Sequence, residues 1–546
     1  MIRNKIIYML AAAALLISGC SDPNAVLDGV EPIYATVELS SESVVMSKEG
    51  GSKSIFVATN RTDWDIVCDY EWIDVSVENS TLTFFVDENP NPESRLAVVE
   101  VIAGKGHDTA KARFKIMQSG DSVRDLSEGG RANCYIAGTS TECKFDASVK
   151  GNGEIDGNSQ YIYHFGVAIT DAAYADLVWE ATFDGDKTRS CKVIDGSPIY
   201  SPEEKCIYFN TGSIEGNAMI AVCDKAGSIL WSWHIWVTDD QISLSAANGY
   251  VWQDRNLGAT SKLPGEVDNR GLLYQWGRKD PFLPSPAPYI DVPNHRYNEN
   301  YELLESEEEY YRVQREIEKA REQVNQNNTQ VGDGSGKWIY AGFTAPVALT
   351  APGNIDYALQ HPTTFLGCRV DIPIGEYLFD WYLQQDLQGS TGVMMQSASQ
   401  LWGGADLNRT IKSLFDPCPA GYCVPPQNAF GEVPDGYACS DVNKEWTKQD
   451  YGWSWSGGNG DYFPSSGNFD VSGLIGETSE RLLYWTTKSY GSRTNGFGKS
   501  GTLFVAFDEV YYGVYPILEG EEAAAWYSYG ARCYGAAVRC VKVSNR

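Results

Sequence analysis

The stretch VWQDRNLGAT at Val251–Thr260, followed after a short polar link by GLLYQWGRKDPF at Gly271–Phe282, decides how the chain is read. Each piece mixes large rings (Trp252, Tyr274, Trp276) with charges (Asp254, Arg255, Arg278, Lys279, Asp280) and glycines. Neither has the look of a catalytic box. A charge set among packed rings must be paired to be tolerated. Asp254, Arg255, Arg278 and Asp280 are therefore expected as buried ion pairs that lock a frame. A third piece of the same character, AAVRCVK, stands at Ala536–Lys542. These distant pieces are expected to belong to one domain, with binding left to the loops it holds up.

Composition sets the outer bounds. A chain of 546 residues should hold several domains, since domains commonly run about 100–200 residues. A hydrophobic content of 43%, with 12% aromatic residues, is enough for folded cores. The abundance of Gly, Tyr and Trp points to β-structure with long loops. The formal net charge of -29 argues against nucleic acid as a partner, because its binders carry basic patches. It argues equally against adsorption to anionic lipid heads. Solubility on a crowded surface is the simplest use of the acidity.

The first residues read as an address. Arg3 and Lys5 precede an apolar run, Ile6–Ile17, that is too short to span a bilayer. Ile17-Ser18-Gly19-Cys20 follows, a branched apolar residue and two small ones before a cysteine. This resembles a bacterial lipobox. The resemblance implies a signal peptide over 1–19, lipidation at Cys20 and a tether over 20–34 holding Pro23 and Pro32. Ser21 does not look like an inner-membrane retention signal. The expected location is the outer membrane, anchored by the lipid alone and facing the cell surface. No stretch reaches roughly 18 uninterrupted apolar residues, so no transmembrane helix is expected.

Of 13 cysteines, those beyond Cys20 are even in number and allow disulfides in an exported chain. Near neighbours offer Cys134 with Cys143, Cys191 with Cys206, Cys418 with Cys423 or Cys439, and Cys533 with Cys540. Connectivity stays open at this point. Cys418 and Cys423 lack a second pair or nearby histidines, so zinc is not expected.

Residues 35–119 alternate strand by strand, at the spacing of an antiparallel sandwich. Trp64 in DWDI, the WIDVS run Trp72–Ser76, Asn89, Arg95 before AVVEV, and KIMQ at Lys115–Gln118 follow in order. Together they resemble the BACON domain, which implies an all-β immunoglobulin-like sandwich. Its carbohydrate-binding name would make Trp64 and Trp72 stacking platforms, but core packing is the preferred reading for both. Residues 120–240 form a second β-rich domain. It opens on ANCYI and closes on ILWSWHIWV at Ile229–Val237, a strand bulky on both faces and hence buried. His234 within it reads as a core histidine bonded to backbone, since no acid or nucleophile stands beside it.

Residues 241–546 carry an ordered set: VWQDRNLGAT, GLLYQWGRKDPF, DPCPAGY at Asp416–Tyr422, LYWTT at Leu483–Thr487 and AAVRCVK. The set resembles the Fibrobacter succinogenes major paralogous domain, which implies a C-type-lectin-like α+β fold with long loops on one side. Tyr301–Gln326 carries an apolar stripe at helical spacing, so a helical insertion is expected near 284–346.

No H-E-x-x-H, G-x-S-x-G or phosphate loop is present, and the five histidines form no metal pair. An enzyme is not expected, although carboxylates are numerous enough to supply a glycosidase pair. The best binding candidate is WTKQDYGWSWSGGNGDYF at Trp446–Phe463. Exposed rings of Trp446, Tyr451, Trp453, Trp455 and Tyr462 would stack on a sugar, and Asp450, Asn459 and Asp461 would take its hydroxyls. The competing reading places these rings in the core. No cofactor is expected; calcium would suit the acidic loop but has no motif behind it. The expected function is a lipid-anchored surface protein binding a glycan or glycoprotein through its C-terminal lectin-like domain. The alternatives are a structural or adhesive envelope component and, last, a glycan-processing enzyme.

Overall fold

The computed structural model describes residues 34–151, 167–183, 189–190, 192–284, 330–332, 338–340, 342–344, 351–367, 381, 401–402, 412–430, 446–458, 461–469, 475–476, 481–490, 499–506 and 524–543. Cys20, the signal segment, Cys191, Cys439, Asn459 and the expected helix Tyr301–Gln326 lie outside the described residues. The chain is multidomain and strand-rich.

The first unit is built from β1 (Val37–Leu39), β2 (Ser43–Met46), β3 (Gly51–Thr59), β4 (Trp64–Val67), β5 (Ile73–Glu78), β6 (Thr81–Val86), β7 (Arg95–Lys105) and β8 (Asp108–Gln118). Two sheets, ordered β1-β3-β6-β5 and β2-β8-β7-β4, enclose a core of Ile55, Val57, Leu82, Phe84, Val99, Val101, Phe114 and Ile116. Period-two alternation explains the layering, with Leu82, Phe84 and Val86 inward and Thr81 and Phe85 outward on β6. The motif residues form a polar lattice at one edge. Arg95 Nε donates to Gln118 Oε1 at 2.8 Å, and its guanidinium lies 4.2 Å from the Trp72 ring centre. Buried Asn89 donates to Glu93 O at 2.8 Å. Trp64 and Trp72 are half-buried against the core, and the cation over Trp72 occupies a face a sugar would need.

The second unit holds β9 (Arg124–Asp125), β10 (Cys134–Ala137), β11 (Glu142–Asp146), β12 (Tyr174–Phe183), β13 (Arg189–Ser190), β14 (Ile194–Ser201), β15 (Cys206–Thr211), β16 (Gly216–Cys223) and β17 (Ile229–Val237). One sheet runs β10-β17-β16-β12 and the other β14-β15-β11-β9. From Trp231 to Val237 every residue of β17 is buried, as bulk on both faces demands. The sandwich is seated on this unit. Val45 and Met117 meet Ile199 and Tyr208, and Ser94 donates from its main chain and hydroxyl to Glu142 at 2.7–3.0 Å.

The distant motifs of the C-terminal part do meet. β18 (Leu244–Ala247) pairs β19 (Tyr250–Gln253), and Trp252 pairs Val541, whose strand in turn pairs Tyr422–Cys423. β20 (Leu273–Gln275) pairs Gly535–Ala537. A disulfide joins Cys418 to Cys540, closing a sequence separation of 122. This corrects the near-neighbour pairings. Cys134 and Cys143 sit on strands of different sheets, and Cys423 stands opposite Val541, so alternation turns it away from Cys540. Cys134, Cys143, Cys206 and Cys423 are free thiols.

Two further features concern the C-terminal part. Within the stretch read as a helical insertion, the described residues Gln330–Gly332, Trp338–Tyr340 and Gly342–Thr344 are strands, and the first pairs β12 of the second unit. A helix is described at Ala351–Gln360, beyond that stretch, with Pro352 in its first turn, where a missing N–H costs nothing. Packing also crosses 240/241. One hydrophobic cluster joins Tyr135, Trp179, Trp233 and Trp236 to Leu272, Tyr274, Trp276, Trp402 and Val538.

Candidate functional site

The sequence candidate is a three-stranded meander of Trp446–Gln449, Gly452–Trp455 and Asp461–Pro464. Its tryptophans do not reach solvent. Trp446, Trp453 and Trp455 are buried, with Trp453 and Trp455 at 0% exposure, and Tyr462 is buried as well. Trp446 stacks on Trp455 with ring centres 5.5 Å apart, and Trp455 meets Trp252 edge-on at 5.8 Å. Phe430 and Phe463 complete this cluster. Asp450, Tyr451 and Asp461 keep solvent contact. The expected exposed tryptophan platform is thus corrected: glycine spacing suggested a loop, but the segment pairs as strands and one face must be covered. Asp450 and Tyr451 form the connecting turn, both with positive φ (21° and 61°), a conformation more often given to Asn-Gly.

The charged frame is only partly what the motifs imply. Arg255 does pair Asp254, Nε to Oδ1 at 2.8 Å. Asp280 pairs Lys279, not Arg278, and Ser232 Oγ donates to the same carboxylate at 2.8 Å. Burial pulls the Lys279 ammonium down to about 8. Arg278 serves carbonyls instead: its guanidinium donates to Thr364 O at 2.7 Å, His361 O at 3.0 Å and Pro362 O at 3.1 Å. It thereby holds the chain leaving helix Ala351–Gln360, where a cation complements the helix dipole. Arg539 lies 3.8 Å from the Phe463 ring centre and donates to Tyr462 O at 2.8 Å. Asn256 is a further hub the motifs did not single out, donating to Tyr484 OH at 2.8 Å and Arg270 O at 3.0 Å. These groups are spent on architecture.

His234 is buried, but its partner is a side chain rather than backbone. Nε2 lies 2.8 Å from Asn217 Oδ1, while Asn217 Nδ2 donates to Gly258 O at 2.8 Å. The amide oxygen accepts, so Nε2 carries the proton. Burial drives the imidazole pKa down to about 3, so it is neutral near pH 7 and unsuited to acid catalysis there. No group of three His, Cys, Asp or Glu that could hold a metal occurs among the described residues.

Exposed rings do occur on a face the sequence reading passed over, the outside of sheet β1-β3-β6-β5. Phe56 on β3 is 53% exposed and Phe85 on β6 is 49% exposed. Phe85 stands opposite Ser52 and Asp74, and Phe56 opposite Thr81, which itself faces Glu78. Four residues along a strand span about 13 Å, so the two rings are spaced along a flat surface of Ser52, Ser54, Thr81 and Thr83 hydroxyls. The signal was present in the sequence as phenylalanines at outward positions of alternating strands.

Comparisons with known proteins bear on this first unit. No curated protein matches the chain. Solved structures that match include "NMR structure of the protein from Bacteroides thetaiotaomicron", 23% identical over 19% of this chain and 96% of that one, with a TM-score of 0.13. The Pseudomonas aeruginosa CupB2 chaperone is 11% identical over 37% and 100%, at 0.18, and the E. coli chaperone DraB 11% identical over 36% and 95%, at 0.18. The family model described as "BACON: Putative binding domain, N-terminal" matches residues 62–119. Those residues, running from the start of β4 through the end of β8, are a BACON domain.

Proposed function

We propose that the chain is a lipid-anchored surface protein of the outer membrane that binds a glycan or glycoprotein, with a lectin-like C-terminal part. The observation that carries the glycan reading is the outer face of β3 and β6. Apolar ring faces there alternate with hydroxyls, and Asp74 and Glu78 border them. A pyranose ring offers an apolar face for stacking and hydroxyls for polar groups, and such rings in β-sheet surfaces are costly to leave bare. The BACON match at 62–119 includes β6 and Phe85, while Phe56 stands before it. The meander keeps Asp450, Tyr451 and Asp461 as a rim, which supports a second, smaller polar contact in the C-terminal part.

The test is a glycan array probed with the full chain. Phe56→Ala and Phe85→Ala are expected to weaken the bound glycan at least tenfold each while leaving the unfolding transition in place, because both rings are already in solvent. Trp453→Ala should instead lower stability. An array with no hits, or phenylalanine variants that bind as well as the parent, removes the reading.

A further inference from the structure

A second surface carries a different kind of partner. β3 runs from Gly51 to Thr59 and is covered on one side by β6 from Gly51 to Phe56. On its other side β1 pairs only with Val57, Ala58 and Thr59 before the chain turns away toward β2 in the opposite sheet. Ser40 closes that pairing: its N–H donates to Phe56 O, and its hydroxyl accepts from Phe56 N–H, both at 2.9 Å. Main-chain groups of alternate residues on an antiparallel strand face the same side. Those of Ser54 and Ser52 therefore face the side β1 has vacated. The vacancy opens into a cleft of about 950 Å³ between the sandwich and the second unit. Its aliphatic lining includes Val37, Leu39, Ile55 and Ala172, and no aromatic ring lines it.

We propose that this cleft accepts an extended, basic segment of a partner polypeptide, which continues the line of β1 and pairs its main chain with Ser54 and Ser52 of β3. An open sheet edge complements an extended peptide and offers nothing particular to a sugar. The charge fits a basic segment. Lys53 is engaged by Glu203 across the cleft and Arg113 by Glu100. Glu38 and Glu42 line the space together with Lys225, on a chain of net charge -29. The partner is protein, and its seat is distinct from the phenylalanine face.

The experiment uses the full chain and a synthetic decapeptide of alternating lysine and threonine, alongside the same peptide N-methylated at alternate residues. The plain peptide is expected to bind at least tenfold more tightly than the methylated one, which has the same charge but lacks strand donors. Ser54→Pro should weaken the plain peptide at least tenfold, since the lost N–H faces the open side and the β3–β6 ladder is untouched. Glu38→Gln with Glu42→Gln should weaken it and flatten its salt dependence. Phe56→Ala should leave it unchanged, which separates this seat from the glycan face. Absence of peptide binding overturns the proposal, and so does equal binding of the two peptides. Loss of an oligosaccharide rather than the peptide on Ser54→Pro overturns it in favour of a sugar. Should Ser54→Pro fail to fold, the methylated peptide on the unmodified chain decides alone.

Discussion

Replacing both Cys418 and Cys540 by alanine is expected to lower the stability of the C-terminal part by about 2–5 kcal/mol. The bridge closes a sequence separation of 122, and the chain-entropy account puts a loop of that length near the top of the range, roughly 5 kcal/mol. Both cysteines are buried in the cluster that the frame shares with the second unit, so the alanines also leave small voids. Denaturant unfolding followed by tryptophan fluorescence, with and without reductant, gives the number. The single variants should cost nearly as much as the double, because one alanine already opens the bridge. If the double variant stays within half a kcal/mol of the parent, the bridge does not constrain the unfolded chain.

Lowering the pH from 6.5 toward 3 should cost on the order of 4 kcal/mol at His234 alone, at about 1.4 kcal/mol per pH unit. In the unfolded chain this imidazole takes up its proton near its ordinary value of 6.5, whereas in the fold burial delays that to about 3. Its contribution is therefore fully present above pH 6.5 and is lost as the pH falls through the window. His234→Gln keeps a donor for Asn217 Oδ1 and removes the titration. The loss of stability between pH 7 and pH 4.5 should be smaller in that variant by at least 2 kcal/mol. Parallel curves for parent and variant would refute a neutral, inaccessible His234.

How much of this was legible follows from which forces are local. The alternation of β3, β6 and β7 shows in the sequence because one face of each strand is dry, and the BACON motif residues sit where Arg95 and Gln118 tie the edge. The three frame motifs announced a common fold because charge among rings needs partners. Which partners could not be read. Arg278 and Asp280 looked like a pair at a glance, yet Asp280 sits beside Lys279 and Ser232 while Arg278 reaches carbonyls of a helix absent from the sequence reading. The disulfide was misassigned for the same reason: proximity along the chain says little once strands distant in sequence pair. The meander failed differently. Trp453 and Trp455 share the inward side of their strand, and only the presence of Phe430 and Trp252 across from them makes that side the interior. Phe56 and Phe85, by contrast, do not stand out in the sequence, because a phenylalanine in a strand is ordinarily a core residue.

The cluster that runs from Tyr135 through Trp236 into Tyr274 and Val538 bears on heredity. A gene rearrangement that cut at 240/241 would hand on strands whose inner faces have nothing to lie against, and a strand at Gln330–Gly332 with no β12 to join. The described residues of that cluster are expected to be exchanged together. The sandwich ahead of them, with its own closed core, is the piece that recombination can exchange.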